Sequence, residues 1–214
     1  MKKKKIRIFI FPLRNMTDIW YNDFCILRKS AAGKESVKMK HPTREKCRQM
    51  LDEYGTPDHV RRHCGAVAQT AYTIAEALNN NGFDMDLDLI TAAGMLHDIA
   101  RVKDRHWDVA ADYLKDLGFR EESEIIRVHM TYSPFSQIED ADETDMLCLG
   151  DRLVREDEYV GIDKRIQYII DKAVKNGHKE KIPFILEKKK DTLRFMNQIE
   201  NRIGKSIDEL MKGK

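Results

Sequence analysis

The chain has 214 residues, enough to bury a full hydrophobic core within one domain. With 42% hydrophobic and 35% charged residues, its composition is that of a folded globular protein and excludes a chain that is disordered throughout. The 38 basic and 36 acidic residues leave a net charge of only +2, too balanced to indicate a nucleic-acid partner.

Residues 1–40 lack helical periodicity, and we predict an N-terminal extension that is either poorly ordered or contains a short strand at Ile6–Phe11. The basic start and this apolar run resemble a signal peptide, but Pro12 ends the run early and no cleavage pattern follows. One hypothesis is that the native chain starts at Met39. No later stretch reaches the roughly 18 apolar residues of a membrane helix, so we expect no membrane partner and a cytoplasmic location.

Four cysteines are present, and none forms a Cys-x-x-Cys pair: Cys25, Cys47, Cys64 and Cys148. This pattern indicates reduced thiols that pack as small hydrophobic side chains. A zinc site built on cysteines is not expected.

From Pro42 onward, apolar residues recur at helical spacing, which predicts an all-α domain over residues 41–214 with a motif core at about 56–160 and additional C-terminal helices. Thr56 is predicted to cap a helix whose first position is Pro57. A second helix is predicted from about Asp86 to Arg101. Further helices are predicted at about 109–117, 125–130, 146–154, 162–173 and 183–203. The charge run Glu187 to Asp191 predicts a solvated helix face, and residues 206–209 have the form of a capping box.

The sequence His97-Asp98 lies near the end of the predicted second helix, within an apolar run. Burial of an imidazole and a neighbouring carboxylate is unfavourable unless another group satisfies them. A metal ion would satisfy both side chains, so this doublet is a candidate metal site.

Three further polar side chains, His63, His129 and Asp151, lie on the apolar faces of other predicted helices. Helical bundles build metal centres in this way, from side chains on facing helices. Imidazole and carboxylate ligands without thiolates suit iron, manganese or zinc. Taken singly, these residues also have plainer roles: a lone helical histidine is more often a satisfied or surface group, His106 could cap a helix, and Asp151 could form a local ion pair.

Three segments together resemble the HD-domain superfamily of metal-dependent phosphohydrolases, over roughly residues 41–165. They are His63-Cys64-Gly65-Ala66-Val67-Ala68, Met95-Leu96-His97-Asp98-Ile99-Ala100-Arg101 and Leu149-Gly150-Asp151-Arg152-Leu153-Val154. The resemblance implies an HD-domain helical bundle. It also implies that His63, His97, Asp98 and Asp151 hold a metal ion.

His106 and His129 are similar to two extra histidines of a subgroup with a dinuclear site, which includes bacterial hydrolases of symmetrical dinucleoside tetraphosphates. Met130 departs from that pattern, because the subgroup tends to have threonine directly after the histidine. The resemblance implies that His106 and His129 hold a second ion and that Asp98 bridges the two. Iron or manganese is favoured, with zinc, magnesium, nickel or cobalt as alternatives. His59, four residues before His63, is a competing candidate that lacks the flanking motif.

The predicted activity is hydrolysis of a phosphoric ester or anhydride of a nucleotide or small phosphorylated metabolite by metal-activated hydroxide. Asp98 and Arg101 are the predicted catalytic residues. Arg101 stands where the family tends to carry a phosphate-binding lysine, and Arg152 and Lys103 are further candidates for binding phosphate.

Two other functions stay open. One is an HD-type diiron oxygenase, which uses a similar ligand set. The other is a non-catalytic nucleotide-binding module on the same fold, although binding alone does not require the ligand set. The expected pocket walls, the 131–145 loop and the C-terminal helices, carry no motif that indicates the substrate, and no pattern indicates the oligomeric state.

Overall fold

A computed structural model describes residues 40–213, and within that range the chain is helical. The helices are α1 (Arg44–Tyr54), α2 (Asp58–Asn79), α3 (Leu87–Leu96), α4 (His106–Asp116), α5 (Arg120–Val128), α6 (Glu143–Leu153), α7 (Gly161–Lys175), α8 (Ile182–Ile203) and α9 (Ile207–Leu210). Short 3-10 turns occupy Ile138–Asp140 and Lys179–Lys181. The prediction of an all-α domain is confirmed. The predicted strand at Ile6–Phe11, the proposed start at Met39 and Cys25 lie outside the described residues.

Short polar side chains begin several of these helices by accepting hydrogen bonds from backbone N–H groups that have no partner within the helix. Asp86 caps α3 in this way. Asp142 caps α6 and Ser206 caps α9, each within a reciprocal capping box. The box predicted at residues 206–209 is therefore confirmed.

Helix α2 lies at the centre of the domain and packs against both α3 and α6. A Cβ atom at Gly94 of α3 would lie 2.6 Å from the Cα atom of Ala68 on α2. At Gly150 of α6, a Cβ atom would lie 3.0 Å from the carbonyl oxygen of Val67. Glycine at both positions permits this close approach, which brings together the polar side chains at the ends of the three helices.

Two apolar clusters flank this central packing. The first joins α1, α3, α4 and α5 to the N-terminal half of α2. The second joins α6, α7, α8 and α9 to its C-terminal half. Across residues 40–213 no helix has the length and apolar character of a membrane span.

The structure differs from two of the predicted boundaries. Thr56 does not cap α2; its hydroxyl donates instead to the carbonyl oxygen of Ile99, 2.8 Å away, and the helix begins at Asp58 after Pro57. Helix α3 ends at Leu96 rather than near Arg101, so that His97 and Asp98 lie in the following turns.

A two-stranded hairpin, Val154–Arg155 paired with Glu158–Tyr159, follows α6 and was not predicted. Strands of two residues carry too little alternation to be seen in a sequence.

The predicted solvated face at Glu187 to Asp191 is also wrong in part, because Lys188 and Lys189 are half-buried.

Candidate metal centre

Three histidines are oriented by hydrogen bonds to backbone carbonyl groups. The Nδ1 atom of His97 donates to the carbonyl oxygen of Gly94 (2.8 Å), and that of His129 donates to Ile126 (2.7 Å). Each of these two residues directly follows a helix and bonds back to its last turn. Since a carbonyl oxygen only accepts, Nδ1 carries the proton and Nε2 keeps its lone pair.

His63 on α2 has the same tautomer for a different reason. Its Nδ1 atom donates to the carbonyl oxygen of Glu156 in the hairpin turn, 2.7 Å away. The hairpin thus holds the ring in place. In metalloproteins, ligating histidines commonly donate their second nitrogen to such an acceptor, which fixes the ring orientation.

The Nε2 atoms of these rings converge on two carboxylates. His63 Nε2 lies 3.2 Å from Asp151 Oδ1, and His97 Nε2 lies 3.6 Å from Asp98 Oδ2. His129 Nε2 lies 3.8 Å from Asp98 Oδ1. The ring centroids of His97 are 5.4 Å from His63 and 5.2 Å from His129, so His97 stands between the other two.

Ligand atoms of two groups lie within 4.8 Å of one another: His63, His97 and Asp151 in one, and His97, Asp98 and His129 in the other. Within the described residues, His97 Nε2 and Asp98 Oδ1 are buried without a hydrogen-bond partner. Buried polar atoms of this kind are unfavourable unless a further group satisfies them. A divalent cation is such a group, and the nitrogen and oxygen donors fit it.

His106 lies beside this cluster, with Nε2 3.0 Å from Asp98 Oδ1 and its ring 5.6 Å from that of His129. The guanidinium of Arg101 donates to the same His106 Nε2 atom at 3.0 Å and lies 3.6 Å from Asp98 Oδ1. All six predicted ligands therefore lie in one cluster, and the guanidinium of Arg101 contacts that cluster.

Burial and neighbouring charges set the protonation of the cluster. Burial lowers the pKa of His97 to about 4, so this imidazole is neutral. Burial also opposes ionisation of Asp98, but the adjacent His97 and the close nitrogen atoms of His106 and His129 outweigh it and hold the pKa of Asp98 well below its usual range. For Asp151, the contact with His63 likewise outweighs burial and lowers the pKa. Both carboxylates are thus ionised, as metal ligands must be.

A cavity of about 300 Å³ opens onto the cluster. Its lining includes four of the six predicted ligands: His63, Asp98, His129 and Asp151. Met130, Ile166 and Ile169 supply apolar wall, and four cationic side chains complete the lining: Arg101, Arg152, Arg165 and Lys188. As expected, the C-terminal helices form part of the wall, but the 131–145 loop, which was also expected there, contributes none of the lining residues.

The predicted phosphate-binding residues differ in their positions. Arg101 lines the cavity and is 44% exposed in its side chain. Arg152 also lines it, but its guanidinium donates to the carbonyl oxygen of Tyr132 and stacks 4.5 Å from the Phe135 ring centroid. Lys103 is exposed and is not among the residues that line the cavity.

Sequence reasoning missed Arg165 of α7 and Lys188 of α8, although a signal was present. Arg165 stands within the apolar stripe of α7, three residues after Ile162 and four before Ile169. Lys188 interrupts a stripe of α8 that is otherwise apolar or small, three residues after Ile185 and four before Thr192. A cation at an inward position of an amphipathic helix indicates a buried partner or a site. His59, the competing histidine, is exposed.

The three cysteines within residues 40–213 lie outside the two groups of candidate metal ligands. Cys47, Cys64 and Cys148 are buried and free, and burial raises the pKa of each thiol, to about 12 for Cys47. They pack as neutral hydrophobic side chains, as predicted.

The fold and the site together define an all-helical domain with a histidine–aspartate cluster that can hold divalent metal. A family model described as HD domain matches residues 60–182, more than half of the chain. The chain therefore belongs to the HD domain family, within a superfamily of metal-dependent phosphohydrolases. HD domains bind divalent metals; the family is generally hydrolytic, and some members are non-catalytic.

Two curated proteins resemble part of the chain. An uncharacterized protein (MJ0778) of Methanocaldococcus jannaschii is 39% identical over 72 residues, which cover 32% of this chain and 43% of that protein. A tRNA (cytidine(56)-2'-O)-methyltransferase of Thermoplasma volcanium is 34% identical over 80 residues, 36% of this chain and 22% of the enzyme. The chain thus spans less than half the length of these relatives. No solved structure matches significantly.

Metal affinity is expected to rise with pH. Burial opposes protonation of His63 and His129, but contacts with Asp151 and Asp98 respectively outweigh it and raise both pKa values above 6.5. A protonated imidazole cannot ligate, so below the raised pKa values a binding ion must displace protons. The affinity should change by up to about tenfold per pH unit for each proton displaced and should level off above those pKa values. His97 is already neutral in that pH range, so it adds nothing to the pH dependence of metal affinity.

Calorimetric titration of the metal-free protein with Mn²⁺ or Zn²⁺, in buffers of different protonation enthalpy, measures the protons released at each pH. His59→Ala removes an exposed histidine outside the cluster and should leave the slope unchanged. Affinity that does not vary between pH 6 and 8 would contradict the assignment of His63 and His129 as ligands.

Proposed function

We propose that this protein is a metal-dependent phosphohydrolase that hydrolyses a phosphoric ester or anhydride of a nucleotide or another small phosphorylated metabolite. The observation that carries the proposal is the cationic cavity that opens onto the histidine–aspartate cluster, whose lining includes Arg101. An anion that enters this cavity lies next to the metal ligands. Family membership supports the same reaction class.

We infer that His63, His97, Asp98 and Asp151 hold one ion and that His106 and His129 hold a second, with Asp98 bridging. The contacts of Asp98 with both histidine groups support this arrangement, since its oxygens lie 3.0–3.8 Å from three imidazole Nε2 atoms. Iron or manganese suits these ligands best. When bound, the ions supply Lewis acidity and lower the pKa of a coordinated water.

The protein's own groups position the substrate. Arg101 can move its half-exposed guanidinium from His106 to a phosphoryl group, to two of whose oxygens it can donate bidentate hydrogen bonds. Asp98 and Asp151 stay ionised and keep their negative charge on the metal side of the cavity. The apolar wall of Ile166 and Ile169 limits the access of water to that side.

The proposal is tested by loading the purified protein with Mn²⁺ or Fe²⁺ and assaying phosphate release from nucleoside mono-, di- and triphosphates, dinucleoside polyphosphates and sugar phosphates. Turnover of one class is expected, and Arg101→Ala should lower kcat/KM about 100-fold or more through loss of a charge-assisted contact. Lys190→Ala on the exposed face of α8 serves as the control. Dioxygen consumption without phosphate release would instead identify an oxygenase, and nucleotide binding without turnover under any metal would identify a binding module.

A further inference from the structure

Three cations line the cavity on helices other than those that lead into His97 and His129. Arg152 lies on α6, Arg165 on α7 and Lys188 on α8. Arg152 and Lys188 are close enough to repel each other: burial and the charge of Arg152 both lower the pKa of Lys188. Cations in such proximity indicate a place for an anion.

The acidic residues of the domain do not neutralise this group of cations. Lys188 lies 5.0 Å from the ring centroid of Phe184 and has no carboxylate oxygen within 4 Å among residues 40–213. The guanidinium of Arg165 is 3.9 Å from Asp151, and its Nε atom is buried without a hydrogen-bond partner in the same part of the chain. Because Asp151 already contacts His63, it is a shared and distant partner for Arg165. A buried donor of this kind lacks an acceptor that a ligand could supply.

The number of positive charges exceeds what one phosphoryl group requires. At the metal centre, bound ions and Arg101, which lies 3.6 Å from Asp98, would serve one phosphoryl group. Arg152 is held by the carbonyl oxygen of Tyr132, but among residues 40–213 Lys188 has no close carboxylate and Arg165 has only the 3.9 Å contact with Asp151. Burial of cations without a close counter-ion is unfavourable. A second anionic group on the same substrate would satisfy them.

We propose that the substrate carries two phosphoryl groups, one at the metal centre and the other held between Arg165 and Lys188. This inference rests on the proposed phosphohydrolase function and narrows its substrate class. The wall of Met130, Ile166 and Ile169 contacts the part of the substrate that joins the two groups. Apart from the histidines, the lining residues are not aromatic, so the cavity offers no other aromatic surface on which a base could stack.

Phosphonates provide the test, because their carbon–phosphorus bonds are not hydrolysed and binding is measured without turnover. The metal-loaded protein is titrated by calorimetry with methylphosphonate and with bisphosphonates whose two groups are separated by one to four carbons. At least one bisphosphonate is expected to bind tenfold or more tightly than methylphosphonate. Lys188→Gln should reduce that preference at least tenfold, whereas Lys188→Arg, which keeps the charge, should retain it.

Lys190→Gln removes an exposed charge from the same helix and is the matched control. Circular dichroism melts establish that each variant is folded. The proposal is overturned if no bisphosphonate binds better than methylphosphonate, or if the preference survives in both Lys188→Gln and Arg165→Gln, which would place both phosphonates on the metal ions. Failure of the proposed function has a different signature, namely that a preferred bisphosphonate is found but no phosphate ester is hydrolysed.

Discussion

Replacement of Asp98 by asparagine is expected to abolish hydrolysis and to weaken metal binding, with little change in the fold of the metal-free protein. The substitution keeps the size of the side chain and removes its charge. In the structure, Asp98 Oδ1 is buried without a hydrogen-bond partner within the described residues, yet it faces the Nε2 atoms of His106 and His129. No other carboxylate in the cluster contacts both.

The size of the expected loss in kcat follows from the electrostatics of the site. As the proposed bridging ligand, a carboxylate whose pKa lies well below its usual range would give a full negative charge to the bound ions. If the loss of this ligand removes about 4 kcal/mol of transition-state stabilisation, kcat falls about 1000-fold. Metal analysis and kcat measurement on the variant give the two effects separately, and the metal-dependent rise in melting temperature should also be lost.

Asp104→Asn is the matched control, because it makes the same substitution at an exposed acid six residues further along the chain. It should retain metal content and activity. An Asp98→Asn variant that binds metal normally and keeps more than a tenth of wild-type activity would remove Asp98 from its bridging role, whatever the other ligands do.

The order of His63, the His97-Asp98 doublet and Asp151 made the metal cluster predictable from the sequence alone. Each lies in an apolar context, and the structure places all of them around one point. Residue type and helical spacing carry this information because a buried polar side chain is unfavourable without a partner. The all-α class followed from the same periodicity, which persists through α8.

The local geometry at the ends of helices and strands was harder to predict from the sequence. The sequence after Leu96 continues the helical pattern, but α3 ends there, and the turn that follows is held in part by the hydroxyl of Thr56. That bond joins residues 43 positions apart, so no local pattern reports it. The acceptor for His63, the carbonyl oxygen of Glu156, likewise comes from a distant turn in a hairpin too short to predict.

The cationic part of the cavity wall was not predicted from the sequence, for a different reason. The chain contains 38 lysines and arginines, and most of those within residues 40–213 are exposed, so Arg165 and Lys188 did not stand out by residue type. Their inward position depends on how α7 and α8 pack against α6, which is a tertiary property. Only the interruption of an apolar stripe distinguishes them, and a single interruption is a weak signal.

Gly94→Ala is expected to destabilise the protein by about 1–3 kcal/mol, because the new methyl group has no space. A Cβ atom there would lie 2.6 Å from the Cα atom and 2.9 Å from the Cβ atom of Ala68. The backbone of α2 cannot yield as a flexible side chain would, so α3 must move away from it. This movement would also separate His63 on α2 from His97, which directly follows α3 and bonds to the carbonyl oxygen of Gly94.

Gly65→Ala provides the contrast within α2, one turn before Ala68. A Cβ atom at Gly65 has no neighbour within 4 Å, and alanine lowers the entropic cost of a helical glycine. This variant should therefore gain about 0.5–1 kcal/mol. Urea denaturation of the metal-free proteins measures both free energies of unfolding, and metal titration of the folded fraction measures the second effect of Gly94→Ala. Equal stability of the two variants would mean that the close approach of α2 and α3 does not hold the metal cluster together. Loss of stability without loss of metal affinity would mean that the turn after Leu96 positions His97 independently of that approach.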